Sequence, residues 1–286
     1  MQYAIASGKG GTGKTLLATN MAVALAERGE PTAYVDADAE EPNGHLFLDC
    51  SAGSRRRFSV PRPVLAEPPC SGCGRCQEIC EFGSILVAGG DIKVFDELCH
   101  GCGACLLACP EEALIETSRE IGTISTGVCG GGLRFLSARL DTGEPRAAPL
   151  IDGLLEQASD FEGRILVDAP PGTTCNAMAA VRHAEIVLLV AEPTPFGQHD
   201  LELTIEMCRA LDLRVAAVIN RCDLGDDAVR RRLAERSIPV LAEIPFLREV
   251  ATEYAAGHIA SKRSSKLRDA IEKTIDGLKA MSGGPG

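Results

Sequence analysis

The chain has 286 residues, of which 45% are hydrophobic and 24% charged, so it can bury the core of one large domain or two modest ones. Its 29 basic and 40 acidic residues give a formal net charge of −11, and we expect no nucleic-acid partner because such surfaces need cations that neutralise phosphates. The most unusual count is that of the 13 cysteines.

The N-terminal residues contain no basic segment followed by a long apolar stretch, so we expect no secretory signal. The longest apolar run, residues 186–191, is too short to cross a bilayer. We therefore expect a soluble, cytoplasmic protein with reduced thiols. In that compartment cysteines act as metal ligands or catalytic groups more often than as disulfides.

A short β-type run at residues 3–6 leads into a glycine-rich turn. The helical pattern that follows carries Leu17, Met21 and Leu25 on one face and stops at Gly29. A second strand is predicted at residues 32–36. The chain thus begins with a strand, a turn, a helix and a strand.

The glycine-rich turn fits the phosphate-binding pattern G-x4-G-K-[ST] and lies between a predicted strand and a predicted helix, as that motif requires. Its residues are Gly8, Lys9, Gly10, Gly11, Thr12, Gly13, Lys14 and Thr15. Glycines let backbone N–H groups surround phosphates at a helix N-terminus. Lys14 would reach the β- and γ-phosphates, and Thr15 would hold Mg²⁺.

An insertion interrupts the α/β pattern after the second strand. The stretch that leads into it combines three consecutive arginines with Pro61, Pro63, Pro68 and Pro69, and we interpret it as an extended linker. The insertion itself spans residues 61–116. It divides a main domain into a first part at residues 1–60 and a second part at residues 117–286.

The insertion contains an internal cysteine repeat. Each half has the spacing C-x2-C-x2-C-x3-C: the first half is Cys70, Cys73, Cys76 and Cys80, and every member recurs 29 residues later, at Cys99, Cys102, Cys105 and Cys109. The second half ends in Cys109-Pro110, and the whole run resembles bacterial two-cluster ferredoxins. The first half departs from that pattern in having Glu81 in place of proline. Two structural zinc sites are the alternative, because C-x2-C pairs also bind zinc.

The resemblance to ferredoxins implies two [4Fe-4S] clusters with crossed ligands. Three thiolates separated by two residues can wrap one face of a cluster, and in two-cluster ferredoxins the fourth cysteine closes the other cluster. One ligand set would be Cys70, Cys73, Cys76 and Cys109, and the other Cys99, Cys102, Cys105 and Cys80.

After residue 116 strands and helices alternate again. Strands are predicted at residues 164–168, 186–191 and 215–220, and helices at residues 150–158, from Asn176, from His199 and near Asp226, Leu247 and Ser264. Strands that are continuously apolar and alternate with helices indicate a mainly parallel sheet covered on both faces. The predicted fold class is α/β, a P-loop nucleotide-binding fold interrupted by a small α+β ferredoxin-like insert.

Lys9 within the phosphate-binding turn resembles the signature lysine of the deviant Walker A ATPases of the MinD/Mrp/ParA superfamily. Supporting stretches are residues 35–43 (VDADAEEPN), 166–173 (LVDAPPGT), 192–197 (EPTPFG), 220–221 (NR) and 243–246 (EIPF). In this order they resemble the branch whose members carry an inserted ferredoxin domain. The resemblance covers nearly the whole chain and implies ATP binding and hydrolysis.

The resemblance also implies catalytic roles. Lys9 would reach the phosphates of the partner across a nucleotide-bound dimer, as an arginine finger does elsewhere. Asp38 would position the attacking water, and Asp168 would be the Walker B carboxylate beside Mg²⁺. Asp36 would lie near the waters of Mg²⁺, with helix capping as the alternative.

The base-binding positions implied by the resemblance are Asn220 and Arg221, with Pro245 packing beside the adenine. Dimers are expected in the ATP state, either of identical chains or with a paralogue. At the C-terminus, Leu267, Ile271 and Ile275 recur at helical spacing. A helix docked on the sheet is favoured over a membrane-binding helix, and we expect no membrane partner.

Five cysteines lie outside the repeat. Three are interpreted as small buried apolar residues: Cys50, Cys208 and Cys222. Cys175 lies seven residues after Asp168, the offset at which the nitrogenase iron protein, a distant superfamily member, carries a cluster ligand. A third cluster that bridges two subunits through Cys175 and Cys129 is one hypothesis, and a packed or weakly reactive thiol is the alternative.

These observations predict an ATPase that couples a dimer switch to two [4Fe-4S] clusters. ATP-gated electron delivery and metallocluster or metallocofactor assembly are the two leading functions, and both imply a redox or cofactor-assembly protein as partner. The alternative is a MinD-like positioning switch in which the ferredoxin acts as a redox sensor or docking module. Residues 70–116 hold eight acidic and two basic residues, which favours the insert as a docking face for a basic partner.

Overall fold

The computed structural model describes residues 1–66 and 70–283. The strands are β1 (Gln2–Ala6), β2 (Thr32–Asp36), β3 (Cys50–Leu65), β4 (Ile85–Ala88), β5 (Asp91–Val94), β6 (Leu114–Cys129), β7 (Arg134–Leu140), β8 (Arg164–Asp168), β9 (Ile186–Ala191), β10 (Arg214–Asn220) and β11 (Val240–Ile244). The helices are α1 (Lys14–Glu27), α2 (Arg75–Glu78), α3 (Ala104–Ala108), α4 (Ala148–Ser159), α5 (Cys175–Val181), α6 (Pro195–Ala210), α7 (Ala228–Glu235), α8 (Arg248–Ala255) and α9 (Ser265–Met281).

The chain divides into two compact units. The first comprises residues 1–56, 124–139 and 147–286, and the second residues 57–123 and 140–146. The insertion expected at residues 61–116 lies within the second unit. Pro68 and Pro69 of the expected linker lie outside the described residues.

The first unit is built on a sheet with the strand order β11-β10-β9-β1-β8-β2-β7, which β6 and β3 extend. The pairings from β11 to β7 are all parallel. Strand β9 is apolar throughout, and β1 and β8 carry amide or charged side chains only at their ends. All residues of the three strands except the first of β1 and of β8 are buried, as the sequence predicts for strands covered on both faces. The α/β P-loop fold class is therefore confirmed.

The apolar face of α9 is buried in the core of the first unit. Leu267, Ile271, Ile275 and Leu278 are at most 2% exposed and belong to the same cluster as the buried face of α1. This is the docked arrangement favoured by the sequence. Within residues 1–66 and 70–283, no helix is long and apolar enough to span a bilayer.

Two expectations about secondary structure differ from the structure. The arginine-rich stretch expected as a linker is part of β3, which tolerates Pro61 and Pro63 because it lies at the edge of the sheet. Helix α6 begins at Pro195 rather than at His199. Its first turn is capped by Thr194, whose hydroxyl accepts a hydrogen bond from the Gly197 N–H at 3.1 Å.

Candidate functional site

The phosphate-binding turn joins β1 to α1. Gly11 and Gly13 adopt left-handed φ angles of 77° and 101°, a conformation that glycine adopts without steric cost. A Cβ atom at Gly13 would lie 2.5 Å from Asn220 Nδ2, so this position also needs glycine for close packing. The loop geometry fits the phosphate cradle predicted from the sequence.

Lys14, the first residue of α1, is only 7% exposed. Burial lowers its pKa, while the nearby carboxylates of Asp168 and Asp38 raise it. The structure thus brings together the lysine and the two aspartates that the sequence placed at the catalytic centre. Burial raises the pKa of Asp38, and Lys14 opposes that shift.

Asp168 lies at the carboxyl end of β8, directly paired with Asp36 at the end of β2. Burial raises the pKa of Asp168 to about 6, while the Thr15 hydroxyl and Lys14 act in the opposite direction. Its Oδ1 atom is buried and has no hydrogen-bond partner. Thr12 Oγ1 in the phosphate-binding turn is also buried and unpartnered.

Orphaned polar atoms are costly in a folded protein unless a ligand or water satisfies them. A carboxylate oxygen and a hydroxyl beside Lys14 and Thr15 are suited to a hydrated Mg²⁺ ion and to phosphate oxygens. The donor set therefore fits Mg²⁺ and a nucleotide.

Asp36 is fully buried, and both of its oxygens have partners. Oδ2 accepts a hydrogen bond from the Gly44 N–H at 2.8 Å, and Oδ1 accepts one from the Asp38 N–H at 3.3 Å. These bonds fix the loop after β2.

A cavity of about 280 Å³ lies beside the turn. Its walls include Leu16, Asn220, Arg221, Pro245, Val250 and Tyr254. It is largely apolar, as a site for an aromatic base needs to be. The three base-binding positions expected from the sequence all line it.

Asn220 is hydrogen-bonded to the phosphate-binding turn. Its Nδ2 donates to the Thr12 carbonyl at 2.7 Å, and its Oδ1 accepts from the Arg221 N–H at 3.0 Å. One N–H and one lone pair of the amide are left for a base.

Lys9 binds a carboxylate of its own chain. Its Nζ lies 3.0 Å from Glu192 Oε2 and donates to Thr194 Oγ1 at 3.3 Å. Arg221 Nη1 lies 2.7 Å from the other oxygen of Glu192. Burial opposes ionisation of Glu192, but Arg221 and Lys9 lower its pKa below the ordinary value.

The second unit repeats one loop geometry twice. Gly72 and Gly101 have φ angles of 73° and 65°, and Gly74 and Gly103 have φ angles of 77° and 74°. Each second glycine is followed at once by a short helix, α2 or α3. The 29-residue sequence repeat is therefore also a repeat of backbone conformation.

One cysteine of the second half lies near the cysteines of the first. Burial raises the pKa of Cys76, and the thiolates of Cys109 and Cys70 raise it further. Burial likewise raises the pKa of Cys105, together with Cys99 and Cys102. Cys109 thus lies near Cys76 of the other half.

Backbone N–H groups point at several of the sulfur atoms. Gly72 N donates to Cys70 Sγ at 3.4 Å, and Ala113 N donates to Cys109 Sγ at 3.3 Å. Burial opposes ionisation of Cys80, but hydrogen bonds from Ser84 lower its pKa. Cys73 and Cys102 are exposed.

In residues 1–66 and 70–283 no group of three or more His, Cys, Asp or Glu side chains is already arranged to hold a metal ion. The chemistry of the donors nevertheless fits iron-sulfur clusters, because thiolates with N–H···S contacts are their usual ligands.

Cys50 and Cys129 form a disulfide bond, which corrects the expectation of a buried Cys50 thiol. It also removes Cys129 as a companion for Cys175, since Cys129 is bonded and only 7% exposed. Cys175 is an exposed free thiol at the start of α5, and Cys208 is fully buried, as expected. Cys222 is half-buried rather than buried.

Residues 3–259 match the family described as the CobQ/CobB/MinD/ParA nucleotide binding domain. The chain belongs to this family. The structure of MinD from Pyrococcus horikoshii with Mg-ADP covers 99% of this chain and 97% of its own length, with a TM-score of 0.59 at 20% identity. The MinD cell division ATPase of Pyrococcus furiosus has the same score and identity, with 98% of both chains covered.

Among curated members, this CobQ/CobB/MinD/ParA protein is 27% identical to uncharacterized protein MJ0578 of Methanocaldococcus jannaschii over 98% of this chain and 96% of that one. A shorter similarity, 42% over 65 residues, links it to an iron-sulfur cluster carrier protein of Synechocystis, covering 23% of this chain and 18% of the carrier.

Sequence reasoning missed two residues at the site of this family member. Glu192 and Tyr34 contact Lys9 and Asp168, which are 183 and 134 positions away along the chain. Glu192 was within a motif that the sequence singled out, but its charge alone did not indicate a partner. Tyr34 lies outside the motifs recognised in the sequence.

Proposed function

We propose that this protein binds and hydrolyses Mg²⁺·ATP as a nucleotide-dependent dimer and couples that cycle to two [4Fe-4S] clusters. The observation that carries the nucleotide half is the pair of orphaned buried atoms, Asp168 Oδ1 and Thr12 Oγ1, beside the phosphate-binding turn and Lys14. Such atoms need a polar partner, and Mg²⁺·ATP with its bound waters supplies one.

In this proposal the base occupies the 280 Å³ cavity between Asn220, Arg221 and Pro245. Backbone N–H groups of residues 8–15 and Lys14 hold the phosphates, and Thr15 and Asp168 hold Mg²⁺, which neutralises phosphate charge when bound. Asp38 orients the attacking water. Lys9 stabilises the transferring phosphate of the partner chain.

The two clusters are held by the crossed cysteine sets. The proximity of Cys76 to Cys109, which belong to different halves, supports this assignment over two independent zinc sites. When bound, such clusters supply one-electron transfer. Eight cysteines that coordinate both clusters completely favour retention, so we assign the protein to ATP-gated electron delivery to a protein acceptor.

A second candidate is cluster assembly. It is favoured by the similarity over 65 residues to iron-sulfur cluster carrier proteins. The two functions differ in what leaves the protein, an electron or a whole cluster.

One experiment separates them. Full-length protein is reconstituted anaerobically, and the potential of each cluster is measured with ADP and with a non-hydrolysable ATP analogue. Electron delivery predicts a nucleotide-dependent shift of tens of millivolts, since about 59 mV corresponds to a tenfold change in equilibrium for a one-electron couple. Assembly predicts instead that clusters pass to an apo-ferredoxin while the potentials stay constant.

Lys14→Ala is the matched control, because it removes nucleotide binding and leaves the cysteines intact. Under electron delivery it abolishes the shift without changing the iron content. A shift that persists in Lys14→Ala, or the absence of ATP hydrolysis by the wild-type dimer, would contradict the proposal.

A further inference from the structure

The hydroxyl of Tyr34 contacts the aspartate at the centre of the candidate site. Tyr34 is fully buried in β2, and its hydroxyl donates to Asp168 Oδ2 at 2.9 Å. We propose that Tyr34 is a positioning residue that binds one oxygen of Asp168 so that the other faces Mg²⁺ and its waters. Tyr34 has this role only if Asp168 serves Mg²⁺·nucleotide, so the assignment rests on the proposed function.

The register of two parallel strands creates the contact. Asp36 pairs with Asp168, and Tyr34 pairs with Leu166 two positions earlier. Because side chains alternate along a strand, Tyr34 lies on the same face as Asp36. Its long ring spans the diagonal from residue 34 on β2 to residue 168 on β8, a distance that shorter polar side chains do not cover.

The ring has little freedom to move. It stacks on Phe135 of β7, with centroids 5.9 Å apart and planes inclined by 15°. A Cβ atom at Gly44 would lie 2.4 Å from the Tyr34 hydroxyl, so the backbone at Gly44 closes the space around that end of the ring. Packing against both neighbours therefore aims the hydroxyl at Asp168.

Tyr34 acts on Asp168 only as a donor. A phenol, whose ordinary pKa is about 10, keeps its proton at neutral pH, and an ionised carboxylate can only accept a hydrogen bond. Oδ2 of Asp168 is thus satisfied within the protein, while Oδ1 is buried without a partner. Oδ1 is therefore the oxygen left for the metal site. Hydrogen bonds from neighbouring residues commonly orient metal-binding carboxylates in this way.

The test is the Mg²⁺ dependence of nucleotide binding in full-length protein with reconstituted clusters. ADP affinity is measured by calorimetry over a range of Mg²⁺ concentrations and with EDTA. Tyr34→Phe keeps the ring and its stacking but removes the donor. We expect the half-saturating Mg²⁺ concentration to rise about tenfold, with ADP affinity in EDTA unchanged.

Tyr3→Phe is the matched control. Tyr3 is also buried in the sheet, on β1, but its hydroxyl lies 2.9 Å from Ser282 Oγ instead of bonding to Asp168. An unaltered Mg²⁺ dependence in Tyr34→Phe, or an equal change in Tyr3→Phe, would overturn the role of Tyr34. Failure of the wild type to bind ADP more tightly with Mg²⁺ would instead contradict the proposed function.

A second measurement does not require the Tyr34 variant to fold. The protein has three tyrosines, so 3-fluorotyrosine labelling gives three ¹⁹F resonances. The signals of the other two are assigned with Tyr3→Phe and Tyr254→Phe. We expect the Tyr34 resonance to move when Mg²⁺ is added to the ADP complex and the Tyr3 resonance to stay in place. A stationary Tyr34 resonance would count against the proposal.

Discussion

At the scale of single residues, the carboxylate of Glu192 connects Lys9 of the phosphate-binding turn to Arg221 in the wall of the 280 Å³ cavity. Glu192 is 8% exposed and binds Lys9 through one oxygen and Arg221 through the other. A buried carboxylate needs such partners to remain ionised. Lys9 is therefore held by its own chain in the structure, whereas the proposed dimer needs it at the phosphates of a partner.

Glu192→Gln removes the charge that holds Lys9. Because a partly buried ion pair contributes about 1 kcal/mol, we expect the variant to form ATP-dependent dimers at about fivefold lower protein concentration. Sedimentation velocity measures the protein concentration at which dimers form, in the Asp38→Ala background, where hydrolysis is blocked. Glu202→Gln is the control, because Glu202 pairs with Arg232 away from Lys9. Weaker dimerisation of Glu192→Gln would show that the pair supports the dimer instead of restraining it.

The roles of Glu192 and Tyr34 depend on contacts between distant parts of the chain. The turn at residues 8–15 is predictable because its spacing alone encodes the loop and the helix start. The hydrogen bond from Tyr34 to Asp168 depends on the pairing of β2 with β8, which no local pattern specifies. The same holds for the disulfide of Cys50 and Cys129, 79 positions apart.

At the scale of elements, the cysteine repeat of the sequence is matched by a repeat of backbone conformation in the structure. Its two loops share positive φ angles at Gly72 and Gly101 and end in α2 and α3. The fourth cysteine of the second loop, Cys109, contributes to the environment of Cys76 in the first. The sequence suggested this crossing only through its resemblance to ferredoxins.

Double variants test the crossed ligand sets by iron content per reconstituted chain. We expect about eight iron atoms in the wild type and about four in Cys76→Ala. Cys76→Ala with Cys109→Ala should still hold about four, because both residues serve one cluster. Cys76→Ala with Cys80→Ala should lose nearly all iron. The reverse result for the two pairs would mean that each half binds its own cluster.

At the scale of the whole molecule, the two units have cores of different size. The first unit buries an extensive sheet and helix core that includes Ile5, Leu17 and Leu188. The main cluster of the second consists of Cys76, Ile85, Cys105 and Leu114, with a few half-buried neighbours. Half of these buried residues are proposed cluster ligands, so the proposed function predicts that metal binding and folding of this unit are coupled.

Removal of iron should therefore unfold the second unit selectively. We expect amide hydrogens of β4 and β5 to exchange in iron-free protein as fast as in an unstructured peptide, while those of β9 and β10 stay protected. Hydrogen exchange with mass spectrometry measures both on one sample. Mg²⁺·ADP, which binds the first unit in the proposed function, should slow exchange there and leave β4 and β5 unprotected. Full protection of β4 and β5 without iron would contradict the coupling.

The Cα atoms of Cys50 and Cys129 are 3.9 Å apart, little more than the span of one peptide unit. The disulfide joins two stretches of the first unit, residues 1–56 and 124–139, and residues 57–123 of the second unit lie between them along the chain. In the proposed function, an electron-carrying unit thus lies along the chain between two stretches of the nucleotide-binding unit.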